Sequence, residues 1–179
     1  LLATSVVFVG FYHWQYLVVA LGITLFTFYT GKAIHRKLNT RAGTWLFSLG
    51  IIGIAGFWLF SRYWSGMFPI GISFYTFQAL SYLIDIYWEE EPEDSLSDFT
   101  LYMLLFMKFL SGPIERGYDL LPQLKQGKRF NYTAVTRGLK LIAWGCFLKL
   151  VIADRIALPL STVLDHVSSS SGMQILLAT

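Results

Sequence analysis

LLATSVVFVGFYHWQYLVVALGITLFTFYTG, residues 1–31, contains no Asp, Glu, Lys or Arg, and His13 is its one readily protonated side chain. Crossing the hydrocarbon core of a bilayer takes about 20 apolar residues in a helix rising about 1.5 Å per residue. The run accommodates the remnant of one helix over residues 1–12 and a second over 14–30, with His13, Trp14 and Gln15 forming a tight interfacial turn. Two more uncharged runs follow, between Arg41 and Arg62 and over residues 63–84. A cleaved signal peptide accounts for one N-terminal run but not for three in succession. Backbone in lipid must satisfy its own hydrogen bonds, so runs of this length read as helices.

Composition agrees. Hydrophobic residues make up 55% of the 179-residue chain and charged residues 14%, with a mean hydropathy of +0.53. A soluble domain carries about 25% charged residues, so this chain cannot cover a water-facing surface. Aromatic residues reach 17%, and Trp and Tyr concentrate where helices meet the headgroup layer. The single Cys146 forms no internal disulfide and offers no metal cluster; a packed, inert thiol is expected. Position 1 is Leu, and the chain stops as another apolar run begins at residues 175–179. Residues 1–179 are therefore expected to be part of a single membrane-embedded domain, truncated at both ends.

The charges set the topology. Lys32, His35, Arg36, Lys37 and Arg41 form a basic loop with no acid, which the positive-inside rule places in the cytoplasm. The next span, residues 42–60, runs outward, and residues 69–87 return, with Pro69 in the first turn where a missing N–H costs nothing. EEEPED, residues 89–94, reads as a solvated cytoplasmic connector. Ser97 or Asp98 then caps a short apolar helix over 99–110, which contains Lys108 and ends at Ser111-Gly112-Pro113. The stretch from Arg116 to Arg137 is again basic and cytoplasmic. With both flanks on one side, the short helix must dip in and come back, which is tolerated only where it is buried in protein or lines a cavity. A further helix over 134–153, capped by Asn131 or Thr133, ends at Asp154-Arg155. An apolar stretch over 156–164 and the connector HVSSSSG, residues 166–172, follow. The expected fold is all-α: a polytopic transmembrane helical protein with a re-entrant helix lining a tunnel.

On the 69–87 helix, Tyr75, Gln78, Tyr82 and Asp85 fall within an arc of about 80° at 100° per residue. Polar groups are costly in lipid, so this stripe faces protein or a watery cavity. It is either a packing seam held by side-chain hydrogen bonds or a cavity wall that handles substrate.

PIGISFYTFQ (residues 69–78) followed by SYLIDIY (81–87) resembles the signature of bacterial membrane-bound O-acyltransferases, and of the alginate O-acetylase subgroup in particular. SGPIER (111–116), LLPQL (120–124) and KLVIADR (149–155) are similar to that family's motifs in order and spacing. The resemblance covers residues 42–160. It implies a ring of tilted helices around a tunnel in the cell inner (plasma) membrane. It also implies an acyl-thioester donor such as acetyl-CoA, entering from the cytoplasm as co-substrate rather than as a bound cofactor. The acceptor implied is a hydroxyl of an extracytoplasmic glycan or of an acyl-accepting partner protein. Membrane lipid completes the expected partners, with no nucleic acid and no metal. The family's catalytic histidine belongs to a motif beyond Thr179, so none is expected here; His13, His35 and His166 do not match its surroundings.

Such chemistry needs a base near neutrality to take the alcohol's proton and donors for the oxygen that gains negative charge. Tyr75, Gln78, Tyr82 and Arg116 could supply donors. Lys108 is either a snorkelling interfacial lysine or a charge lining the donor tunnel. Arg116 faces a phosphate, whether of a lipid headgroup or of coenzyme A. Asp85 and Asp154-Arg155 have a plainer reading as interfacial ion pairs or caps. The substrate-binding set expected from sequence is thus Tyr75, Gln78, Tyr82, Asp85, Lys108 and Arg116. D-alanyl transfer to teichoic acid, by a sister branch, is the close alternative. A transporter or channel subunit is the rival of another class, since re-entrant segments and polar helix faces are natural there too; no internal repeat supports it.

Overall fold

The computed structural model describes residues 1–63, 71–88, 90–109, 112–126 and 130–157. All regular structure among them is helical. The chain divides into two compact units, Leu1–Gly127 and Lys128–Thr179.

In the first unit, α1 (Leu2–Tyr12) and α2 (Trp14–Arg36) are separated by a single extended residue, His13. Helix α2 runs past its expected end at residue 30 and absorbs Lys32, His35 and Arg36, which a composition-based reading assigns to the loop. Nothing at 31–36 breaks a helix, and the cations there suit its negative C-terminal end. The turn that remains holds Asn39 at φ 62°, a left-handed conformation that asparagine tolerates. Thr40 then caps α3 (Arg41–Tyr63), accepting from the Gly43 N–H at 3.1 Å. Helices α2 and α3 are both long and apolar enough to cross a membrane. Each spans about 35 Å at 1.5 Å per residue, and each leaves large apolar side chains on its outer face, among them Leu25, Trp45, Leu49 and Ile52.

Helix α4 (Ile72–Tyr87) packs against both. Its direction against α3 is fixed at two ends. Trp58 Nε1 donates to Ser73 Oγ at 3.1 Å at one end, and Phe47 stacks on Tyr87 at 4.2 Å at the other. Pro69 and the segment before α4 lie outside the described residues.

The segment after α4 does not form the single expected helix. Ser95, rather than Ser97 or Asp98, is the cap, accepting from the Asp98 N–H at 3.3 Å. Helix α5 (Leu96–Leu104) stops early because Leu105 leaves helical geometry at φ −52°, ψ 112°. A short α6 (Phe106–Phe109) follows, its freed Phe106 N–H donating to Ser5 Oγ of α1 at 3.3 Å. Residues 112–116 are irregular, and α7 (Gly117–Lys125) closes the unit inside the basic stretch that begins at Arg116. Asp119 in its first turn and Lys125 in its last complement the helix dipole, and Leu121 is its buried anchor.

This segment travels along α4 and returns. Its start is tied near the C-terminal end of α2, where Lys32 Nζ donates to the Asp94 carbonyl at 3.1 Å. Its far point, Phe109, meets Gly71 and Tyr75 at the beginning of α4. Arg116 is back beside Asp85 near the end of α4. The core lies inside this loop, around Ala79, Leu83 and Ile86 of α4 and Phe99, Tyr102 and Met103 of α5.

The second unit contains α8 (Tyr132–Phe147), capped by Asn131 Oδ1, which accepts from the Ala134 N–H at 3.1 Å. It continues as a π-helix, Leu148–Ala153. Lys149 pairs with Asp154 across that turn. Within these residues Cys146 is exposed, and no residue of α8 is buried. His166 lies outside the described residues.

Candidate functional site

All four polar residues of the α4 stripe are buried, as its periodicity requires. Lys108 and Arg116 come to the same face from the neighbouring segment, at opposite ends, so all six sequence-derived residues lie along one polar seam. Their hydrogen bonding divides them.

Four are engaged within the protein. Gln78 Nε2 donates to the Tyr102 carbonyl at 3.0 Å, closing the backbone of α5 onto α4. The Tyr82 hydroxyl accepts from the Glu93 N–H at 2.9 Å. Arg116 Nη1 lies 2.5 Å from Asp85 Oδ1. The guanidinium is 47% exposed while the carboxylate side chain is 5% exposed, so the pair straddles a boundary. The guanidinium makes this pair through one nitrogen, and the rest of it faces outward.

Two are not engaged. The Tyr75 hydroxyl and Lys108 Nζ are buried without a hydrogen-bond partner among the described residues, as is Asp85 Oδ2. Tyr75 stacks its ring on Phe109 at 5.3 Å. Lys108 holds its ammonium 4.3 Å from the centre of the Tyr102 ring, a cation–π contact that recovers part of what burial costs. Tyr102 is itself fixed, donating its hydroxyl to the Glu115 carbonyl at 2.8 Å.

Sequence reasoning missed Glu93, Lys125, Tyr102 and Thr76. Glu93 is buried, accepts from the Ser95 N–H at 3.0 Å and pairs with Lys125 at 2.8 Å. The acidic loop is therefore not wholly a solvated connector: Glu90, Glu91 and Asp94 face water, and Glu93 does not. Nothing in EEEPED singles out that position; its partners, the Tyr82 hydroxyl, the Ser95 N–H and Lys125, do. Thr76 neighbours Tyr75 on the buried side, but its hydroxyl is invisible to a reading built on larger polar groups. Its Oγ1 also has no partner among the described residues.

Asp85, Glu93 and Lys125 line an open cleft of about 400 Å³ together with Tyr82, Glu90, Glu91 and Asp94. Of the five carboxylates there, Asp85, Glu93 and Asp94 are paired with Arg116, Lys125 and Lys32, and Glu90 and Glu91 leave a net negative charge that disfavours a polyphosphate. The cleft is suited to cations rather than to the anionic end of a nucleotide.

No protein-family model matches the chain, and no solved structure matches it. Curated proteins do. The chain is 27% identical to the probable alginate O-acetylase AlgI of Pseudomonas aeruginosa over 88% of its length. It is 26% identical to the peptidoglycan O-acetyltransferase of Helicobacter pylori over 97%, and 29% identical to the probable alginate O-acetylase AlgI of Pseudomonas fluorescens over 93%. It spans 35%, 42% and 34% of those three proteins respectively. The chain is thus a homologue of alginate O-acetylases and of a peptidoglycan O-acetyltransferase, in agreement with the membrane-bound O-acyltransferase resemblance of its motifs.

Proposed function

We propose that the protein containing these residues is a multi-pass O-acetyltransferase of the plasma (inner) membrane. It moves an acetyl group from a cytosolic thioester, acetyl-CoA being the simplest, to a hydroxyl of an extracytoplasmic polysaccharide or of a partner protein that relays it. The observation that carries this reading is similarity to O-acetylases over 88% to 97% of the chain. The buried polar seam supports it, because polar groups at such depth are retained where they fasten a packed core or meet a substrate. We read residues 95–116 as a re-entrant segment entering the membrane from the cytoplasmic side, and the whole chain as part of one membrane-embedded domain.

In the reaction, the acceptor oxygen attacks the thioester carbonyl carbon while a base takes its proton. The carbonyl electron pair moves to oxygen, then returns as the carbon–sulfur bond breaks and the thiolate leaves. The base is a histidine beyond Thr179, so residues 1–179 alone should not turn over.

The test uses membranes carrying the full-length protein, supplied with acetyl-CoA labelled in the acetyl group. The expected result is alkali-labile label in the polysaccharide fraction, above membranes lacking the protein and absent with residues 1–179 alone. Label recovered only as free acetate, or transfer from a D-alanyl donor but not from acetyl-CoA, would refute the assignment.

A further inference from the structure

Lys108 is a buried lysine that forms no ion pair among the described residues. Its residue is 6% exposed and its ammonium has no hydrogen-bond partner among the described residues. Glu115 attracts it through space without forming an ion pair. An ammonium removed from water without a partner is disfavoured by several kcal/mol, so a protein gains stability by replacing it. The surroundings instead hold it in place. A Cβ on Gly71 would stand 2.3 Å from the Phe109 carbonyl oxygen, and one on Gly112 would stand 2.3 Å from Lys108 Cα. The Lys108–Phe109 turn is gripped between two backbones that approach only because both positions are glycine. Tyr102 lies beneath the ammonium. Tyr75 stacks on Phe109, the residue next to Lys108, and its hydroxyl also has no partner among the described residues.

We propose that Lys108 Nζ and the Tyr75 hydroxyl are the donors that receive the thioester carbonyl oxygen as it becomes negatively charged during acyl transfer. This rests on the acyltransferase reading and assigns its oxyanion-binding groups. Gln78, Tyr82 and Arg116 each already hold one hydrogen bond within the fold, whereas Lys108 Nζ and the Tyr75 hydroxyl hold none among the described residues. Fixed donors in a water-poor site act strongly on developing charge, since no solvent must reorganise around them. The missing ion-pair partner is then the transition state itself, which is present only while the reaction proceeds.

The experiment compares Lys108→Met, Lys108→Arg and Tyr75→Phe in the full-length protein, measuring thermal unfolding in detergent and acetyl-transfer kinetics in membranes. Lys108→Met should raise the unfolding temperature and lower kcat by about 10²- to 10³-fold with KM little changed. Lys108→Arg should recover part of kcat. Tyr75→Phe, which keeps the stack on Phe109, should lose roughly tenfold or more in kcat. A lysine that serves only packing gives the reverse pattern: Lys108→Met unfolds earlier or fails to fold, and that result overturns the proposal. So does a rise in KM at constant kcat, which marks an anion held equally in ground and transition states. Absence of transfer by the wild-type protein removes the acyltransferase reading and this role with it. Wild-type transfer that Lys108→Met matches overturns this role alone.

Discussion

Replacing Arg116 by alanine tests the return of residues 112–116 to α4. The substitution strands Asp85, a carboxylate 4% exposed as a residue, with Oδ1 unpaired in addition to Oδ2. Removing one partner of a fully buried pair costs about 3–5 kcal/mol. Arg116 is 47% exposed, so water can replace part of the guanidinium, and the expected loss is roughly 1–3 kcal/mol. Asp85→Asn keeps the shape without the charge and leaves a cation that solvent can reach, for about 1 kcal/mol. In the double variant no charge is stranded, so its destabilisation should fall clearly below the sum of the two single losses. The assay is denaturant unfolding in detergent micelles, followed by tryptophan fluorescence, on all four proteins of the cycle. Additivity within about 0.5 kcal/mol would mean that Arg116 and Asp85 do not interact, and the path drawn for residues 112–116 would be wrong.

Gly71→Ala should destabilise the protein by roughly 2 kcal/mol or more, combining a left-handed backbone at φ 76° with a carbonyl in the way; Gly22→Ala, where a Cβ meets nothing within 4 Å, is the control and should be neutral or stabilising, so equal effects would refute the contact with Phe109. If residues 95–116 enter and leave the membrane on one side, Glu91→Cys and Gln126→Cys should both react with an impermeant maleimide from the cytoplasmic face only, and labelling from opposite faces would contradict the proposed topology. The hydrogen bond to Glu93, followed by the attraction of its carboxylate, raises the Lys125 pKa. A raised folded-state pKa stabilises fully below the unfolded value, near 10.4 for lysine, and the benefit fades as pH climbs through the folded value. The stability gap between wild type and Lys125→Gln should therefore hold steady between pH 7 and 9, taken as roughly neutral to mildly basic, and shrink above that range; a gap that widens with pH would refute the pairing.

The two long apolar helices α2 and α3 and the polar face of α4 were legible because they rest on local periodicity and on the absence of charge, both properties of contiguous residues. Tyr75, Gln78, Tyr82 and Asp85 needed no tertiary knowledge to be placed together. What those residues do was not legible, because it depends on partners far along the chain. Gln78 meets a backbone carbonyl 24 residues away, and Arg116 meets Asp85 across 31 residues. The break at Leu105 carries no glycine or proline to announce it, and Ser5, 101 residues earlier, receives the N–H it frees. Glu93 was lost among identical neighbours for the same reason: its distinction is a lysine on α7. The extension of α2 through its basic residues was a boundary error of the ordinary kind, since helices end where capping chemistry stops them rather than where charge begins.

The two ties on the acidic loop respond differently to ionic strength. Lys32 reaches an Asp94 whose side chain is 98% exposed, whereas Lys125 reaches a Glu93 that is almost wholly covered. Counter-ions at about 1 M shorten the reach of an exposed charge to roughly 3 Å, so concentrated electrolyte loosens the Asp94 end and leaves the Glu93 end fastened. A buffer chosen for extraction therefore sets how tightly this loop is tethered to α2, and preparations made at low and high salt will differ there first.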